Sequence, residues 1–175
     1  KFNNDKIIPI FIVGMPRSGS TLVEAILSSG SENINSLGEC HVANISILEQ
    51  IGAKIYTKDF DIKKFSFEIN LKSFNDSVLR RYKQFNLNKT KDHQIIIDKS
   101  LENFFPNAKF LHTFRNPSDS IISIFQSMLA ELSWTHSFDD ILNYYDNYHK
   151  IMNFYKNRFP KSIMDIDLEK FTNNS

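Results

Sequence analysis

Short apolar runs alternate with amphipathic stretches along this 175-residue chain. Ile7 to Val13 reads IIPIFIV, a continuous, β-branched run with no helical period, which suits a strand buried on both faces of a parallel sheet. It stops at Gly14. Ser20 to Ser29 (STLVEAILSS) follows as a helix, with Leu22, Ile26 and Ser29 on one face and Gly30 placed to end it. Further strands are expected over Asn33–Leu37, Gln94–Ile97, Lys109–Phe114 and Ser162–Ile166. Helices are expected over His41–Ile55, from Pro117 to about Leu132, and over Asp139–Arg158. Another is expected over Phe65–Phe85, where Phe67, Leu71, Phe74, Val78 and Leu79 form an apolar stripe. Strands alternating with helices predict an α/β fold with a central, mostly parallel sheet flanked by helices. The length, and the lack of a repeat or long linker, predict a single domain over residues 1–175.

Composition and charge narrow the function classes. Lys+Arg total 21 against 20 Asp+Glu, a net charge of +1, so no global basic field argues for nucleic acid. Hydrophobic residues make up 41% and charged residues 23%, which excludes a disordered or collagen-like chain. The single Cys40 excludes a disulfide framework and a cysteine zinc cluster, and it favours a reducing, cytoplasmic compartment. His93, His112, His136 and His149 lack the paired spacing of a metal site, so no metal is expected. No apolar run approaches the ~20 residues that a membrane span needs. Glycine is scarce, and three of the five (Gly14, Gly19 and Gly38) follow apolar runs where strands end.

The segment Gly14-Met15-Pro16-Arg17-Ser18-Gly19-Ser20-Thr21 lies between the first expected strand and helix. Its outline, G-x-x-x-x-G-S-T, is that of a phosphate-binding loop with one departure. In such a loop successive backbone N–H groups curl around an anion, and the helix N-terminus adds partial positive charge. The departure is Ser20, which stands where nucleotide triphosphatases carry Lys; the cationic side chain is Arg17, three residues earlier. A guanidinium, hydroxyls and amides suit a monoanionic group on a nucleotide, with no metal required. Pro16, Arg17, Ser18, Gly19, Ser20 and Thr21 are therefore candidate binding residues.

The run V-G-M-P-R-S-G-S-T-L closely resembles the 5′-phosphosulfate loop of sulfotransferases that use 3′-phosphoadenosine 5′-phosphosulfate. Its Pro-Arg-Ser-Gly form is most like that of tyrosylprotein and bacterial TPR-linked sulfotransferases. The resemblance implies a three-layer, P-loop NTPase-like fold and a metal-free transfer of sulfonate to a hydroxyl, with an amine as second choice. Adenosine 3′,5′-bisphosphate would be the product. The family's second motif binds the 3′-phosphate through an Arg at a strand end and a Ser eight residues on, matched here by Arg115 and Ser123. Arg17 and Lys99, in Asp98-Lys99-Ser100, would face the transferring sulfonate. Gly38-Glu39-Cys40-His41 resembles the G-E-x segment whose Glu takes the acceptor proton, which makes Glu39 the candidate base and His41 its rival. Met164 to Phe171 resembles the family's strand followed by Y-E-D-L.

The resemblance runs from Ile8 to about Phe171. The chain is expected to lack the family's C-terminal segment, and its stretch between Lys99 and Phe105 is shorter than in relatives. A protein tyrosine, a carbohydrate and a small alcohol all stay open as acceptors. Two other readings stand beside this one: a kinase-like phosphotransferase, which Ser20 argues against, and a nucleotide-binding module without turnover.

Overall fold

The computed structural model describes residues 7–30, 34–51, 70–84, 94–98 and 108–173. The chain groups into two compact units, one of Lys1–Phe11 with Ser31–Ala108 and one of Ile12–Gly30 with Lys109–Ser175. Strand β1 (Ile7–Gly14) contributes its first five residues to one unit and its last three to the other.

In the first unit β1 lies beside β3 (Gln94–Asp98), and β3 lies beside β2 (Ile34–Ser36), all parallel. The register pairs Ile8 with Ile95 and Ile10 with Ile97, while Ile34 pairs with Ile95 on the other side. Helices α2 (Val42–Ile51) and α3 (Leu71–Gln84) pack together in this unit. Of the expected stripe, Phe74 and Val78 are buried and Leu79 is half-buried, Phe67 lies outside the described residues, and Tyr82 extends the face one turn further. Polar contacts fix the pair. Gln50 Oε1 accepts the Asn70 N–H at 2.9 Å, and Glu49 takes Ser77, Arg80 and Arg81. The Ser77 hydroxyl and the two guanidiniums hold the Glu49 carboxyl below its ordinary range against the opposing effect of burial. The expected helix residues 52–55, 65–69 and 85 lie outside the described residues.

In the second unit the order is β1, β4 (Lys109–Phe114), β5 (Ile163–Asp167), with β4 and β5 parallel and His112 opposite Asp165. Helix α1 (Ser20–Ser29) follows β1. Helix α4 (Pro117–Ser127) follows β4 and is capped by the Asn116 side chain, which accepts the Ser118 N–H at 2.9 Å, with Pro117 in the first turn. A 3₁₀ turn (Ser133–His136) leads to α5 (Phe138–Arg158), which Ser137 caps. Met15, Ile124 and Ile141 form a buried cluster. Full burial of each aliphatic chain in it contributes about 1.5–3 kcal/mol.

Two local expectations are corrected, and two details are added. Helix α4 ends at Ser127 rather than near Leu132, because Met128 turns into the left-handed region at φ 38° and breaks the ladder. On α1 the buried positions are Val23 and Glu24, while Leu22 and Ile26 are exposed. Gly30 ends α1 as expected, its N–H donating to the Leu27 carbonyl in right-handed geometry. After β5 comes a short helix, α6 (Leu168–Asn173), which Asp167 starts by accepting the Glu169 N–H at 3.1 Å.

Candidate functional site

The loop between β1 and α1 reverses direction through two left-handed residues, Arg17 at φ 67° and Gly19 at φ 89°. For Arg17 this conformation carries strain that the surrounding contacts must hold. Gly19 is the N-cap of α1 and offers no side chain to cap the first turn. Its carbonyl accepts from Leu22 and Val23, both at 3.1 Å. Gly14 is needed for space: a Cβ there would fall 2.6 Å from the Thr113 carbonyl oxygen and beside the Ser18 hydroxyl. A Cβ on Gly19 would come within 2.6 Å of both Leu168 methyls. These features fit an oxyanion held by backbone amides.

Below the loop, Ser18 is buried, its hydroxyl 2.8 Å from that of Thr113 on β4. Thr113 is wholly buried and belongs to the strand that ends at Phe114, just before Arg115. The loop is thereby tied to the second motif from beneath. Above, the exposed Arg17 donates from Nε to the Ser123 hydroxyl at 3.2 Å. Two segments 106 residues apart, picked out separately in the sequence, thus meet through candidate side chains.

Arg115 leaves β4 at the start of α4. Its Nη2 donates to the Asp119 carbonyl at 2.7 Å, which orients the guanidinium, while its Nε is buried without a partner. The backbone N–H of Asn116 donates to Glu169 at 3.0 Å, joining this turn to α6. A cavity of about 330 Å³ opens beside these residues and reaches Met15, Ser18 and Arg115.

The remaining candidates are placed as follows. Pro16 is half-buried in the loop, and Ser20 and Thr21 begin α1, with Thr21 exposed. Glu39 and His41 lie between β2 and α2, both exposed. His41 has φ 51°, and its carbonyl accepts the Ile45 N–H at 2.9 Å, so its backbone starts α2. They belong to the first unit, the loop and Arg115 to the second. Lys99 lies outside the described residues.

Sequence reasoning missed the group around His112. His112 is buried on β4, and its Nδ1 lies 2.7 Å from Asp165, its direct partner on β5. Lys156 of α5 donates to the same carboxylate at 2.7 Å. Burial pulls His112 below its ordinary value, although the Asp165 bond opposes this. Asp165 is raised by burial but ends below its ordinary value, because Lys156 and His112 bond to it. A His and an Asp at facing register positions of two parallel strands were the signal, readable only with the strand register in hand. Among the described residues, no group of three or more His, Cys, Asp or Glu is placed to hold a metal ion.

The sequence profile of the Sulfotransferase family matches residues 9–175. An uncharacterized protein of Aquifex aeolicus (strain VF5) is 30% identical over 181 residues, covering 94% of this chain and 23% of that protein. The chain therefore spans about a quarter of that relative's length. A crystal structure of an uncharacterized protein from Eubacterium ventriosum ATCC 27560 is similar at 15% identity with a TM-score of 0.43, over 95% of this chain and 94% of that one.

Proposed function

The chain belongs to the sulfotransferase family, and we propose that it moves the sulfonate of 3′-phosphoadenosine 5′-phosphosulfate to a hydroxyl acceptor, with an amine as the second acceptor class. The supporting observation is the Arg17–Ser123 hydrogen bond, which joins the phosphosulfate loop to the motif assigned to the 3′-phosphate. A donor with anions at both ends of an adenosine needs two anion sites held at a fixed distance. The Ser18–Thr113 and Arg17–Ser123 bonds supply such a brace.

In this reading the loop amides, Ser20 and Thr21 hold the 5′-phosphosulfate, and Arg115 with Ser123 holds the 3′-phosphate. The acceptor oxygen attacks sulfur in line as the bond from sulfur to the bridging oxygen breaks. The electron pair leaves on adenosine 3′,5′-bisphosphate. Arg17 and Lys99 offset the charge that develops on that oxygen. The acceptor proton passes to Glu39, with His41 as the alternative base. The resemblance carries the roles of Glu39 and Lys99, and it leaves the acceptor open among tyrosyl, carbohydrate and small-alcohol hydroxyls. Among the described residues, no helix is long and apolar enough to cross a membrane.

Titration calorimetry tests the reading. Adenosine 3′,5′-bisphosphate should bind without metal, and ATP with magnesium should bind poorly. Arg115→Ala should weaken bisphosphate binding by about 1.5–3 kcal/mol, the range for hydrogen bonds to charged groups. Adenosine 5′-phosphate should lose little in the same variant. Magnesium-dependent ATP binding without a response to the bisphosphate overturns the assignment.

A further inference from the structure

Glu169 places a carboxylate beside a site that is read as binding anions, and it lines the same cavity as Arg115. A negative charge next to a bound anion weakens the binding of that anion. Electrostatics alone therefore gives no reason for a Glu at this position, but its contact does. A Glu169 side-chain oxygen, Oε1, accepts the backbone N–H of Asn116 at 3.0 Å.

Asn116 directly follows Arg115 and is held by three bonds. Its side chain accepts the Ser118 N–H at 2.9 Å, and its carbonyl accepts the Ser120 N–H at 3.1 Å. Those two stay within the first turn of α4. The third comes from Glu169, 53 residues on, and ties the turn that carries Arg115 to the corner between β5 and α6. Arg115 depends on that turn. A guanidinium on a long, flexible stem loses rotamer entropy when it is fixed. Its Nη2 donates to the Asp119 carbonyl at 2.7 Å, and its Nε is buried without a partner. Because Asp119 belongs to the first turn of α4, the guanidinium stands where the start of that helix puts it.

The same corner touches the loop. Asp167 Oδ1 accepts the N–H groups of Glu169 at 3.1 Å and Lys170 at 3.4 Å, which turns the chain out of β5 into α6. Leu168 lies so close to Gly19 that a Cβ there would meet its methyls, and the next residue, Glu169, reaches Asn116. Consecutive side chains thus hold the two segments that the donor reading assigns to opposite ends of one nucleotide. Resting on that reading, we propose that Glu169 is a positioning residue for the donor site. Through Asn116 it sets where Arg115 stands, while Leu168 registers the corner against the loop. The acceptor oxygen of Glu169 does this, and its charge opposes the guest.

The test separates the bond from the charge. Glu169→Gln keeps the acceptor oxygen and removes the charge, whereas Glu169→Ala removes both. Adenosine 3′,5′-bisphosphate and adenosine 5′-phosphate are titrated calorimetrically into the full chain and both variants, with urea midpoints by Trp134 fluorescence to confirm folding. Glu169→Ala should bind the bisphosphate about three- to tenfold more weakly than Glu169→Gln, the worth of one hydrogen bond. Glu169→Gln should match or exceed the parent. Adenosine 5′-phosphate should bind both variants equally. Because Glu169 acts through Arg115, the two changes should give equal bisphosphate affinities when each is combined with Arg115→Ala. Equal affinities of Glu169→Gln and Glu169→Ala with Arg115 in place overturn the proposal. A loss shared by adenosine 5′-phosphate, or one that persists in Arg115→Ala, does the same, since either marks a general structural effect. Hydrogen exchange of the Arg115 Nε–H gives a readout without nucleotide, by proton–nitrogen NMR with the signal assigned by its absence in Arg115→Ala. Exchange should be about tenfold faster in Glu169→Ala, matching the lost bond, and near the parent rate in Glu169→Gln. An unchanged rate in Glu169→Ala overturns the tie to Arg115. A parent protein that does not bind the bisphosphate overturns the donor reading, and the exchange rates then still decide whether Glu169 positions Arg115.

Discussion

Gly19→Ala tests the loop geometry directly. At φ 89° an L-residue takes on left-handed strain of about 1–2 kcal/mol. The new methyl would also lie 2.6 Å from Leu168 Cδ1 and Cδ2, well inside contact distance. Overpacking of this kind costs about 1–3 kcal/mol, here toward the lower end because the clashing atoms end a half-buried side chain. The expected loss is about 2–4 kcal/mol. With a urea m-value near 2 kcal/mol/M, the midpoint should fall by about 1–2 M. Trp134 is the chain's single tryptophan and stacks on Tyr144 at 3.9 Å in the unit that contains the loop, so its fluorescence reports the transition. Leu168→Ala separates the two causes. In the double variant the overlap is gone and only the backbone strain remains, so the two changes should couple by about 1 kcal/mol or more. Gly19→Ala without loss refutes the left-handed turn. A coupling within about 0.3–0.5 kcal/mol of zero refutes the approach of Leu168 to the loop.

The other predictions concern the proton acceptor and acid stability. Glu39→Gln should lower turnover by about 10²–10⁴-fold with donor affinity nearly unchanged. A large loss in His41→Asn beside a near-normal Glu39→Gln would pass the role of base to His41. For acid stability, His112 has its folded-state pKa depressed, so as pH falls below the unfolded value of about 6.5 the unfolded chain takes the proton first and stability drops. Asp165 is also depressed, and its contribution is lost at lower pH, as acidity passes below the unfolded carboxyl value of about 3.9. Urea midpoints measured from pH 7 downward should fall in the parent and flatten near pH 6 in His112→Asn; an identical profile in both would contradict this.

The strands β1 and β3 were legible as short apolar runs closed by Gly or Asp, and β4 as a run closed by Arg-Asn-Pro; alternation with helices pointed to parallel pairing. Helix ends were less so. Nothing in Ile124 to Leu132 marks a stop, since Met128 enters the left-handed region without the usual Gly or Asn. The buried side of α1 was misread for a related reason. Leu22 and Ile26 look like a core face by hydrophobicity alone, but Val23 and Glu24 are the buried positions.

The anion loop could be read from sequence because its chemistry is local: eight consecutive residues carry the glycines, the hydroxyls and the cation. The cavity beside it could not, because its chemistry depends on register. His112 and Asp165 are 53 residues apart and become partners only when β5 pairs with β4 in parallel. Slipping β5 by a single residue would put Met164 or Ile166 opposite His112 and turn Asp165 to the other face. Arg115 would then lose nothing visible in its own segment, since its bond to the Asp119 carbonyl is local. The acceptor at His112 Nε2 would be lost all the same, because without Asp165 nothing fixes the proton on Nδ1. The loop and the cavity therefore rest on different kinds of information. The loop is encoded in one stretch of sequence, whereas the mixed donor and acceptor set around Arg115 is a consequence of how two strands are aligned.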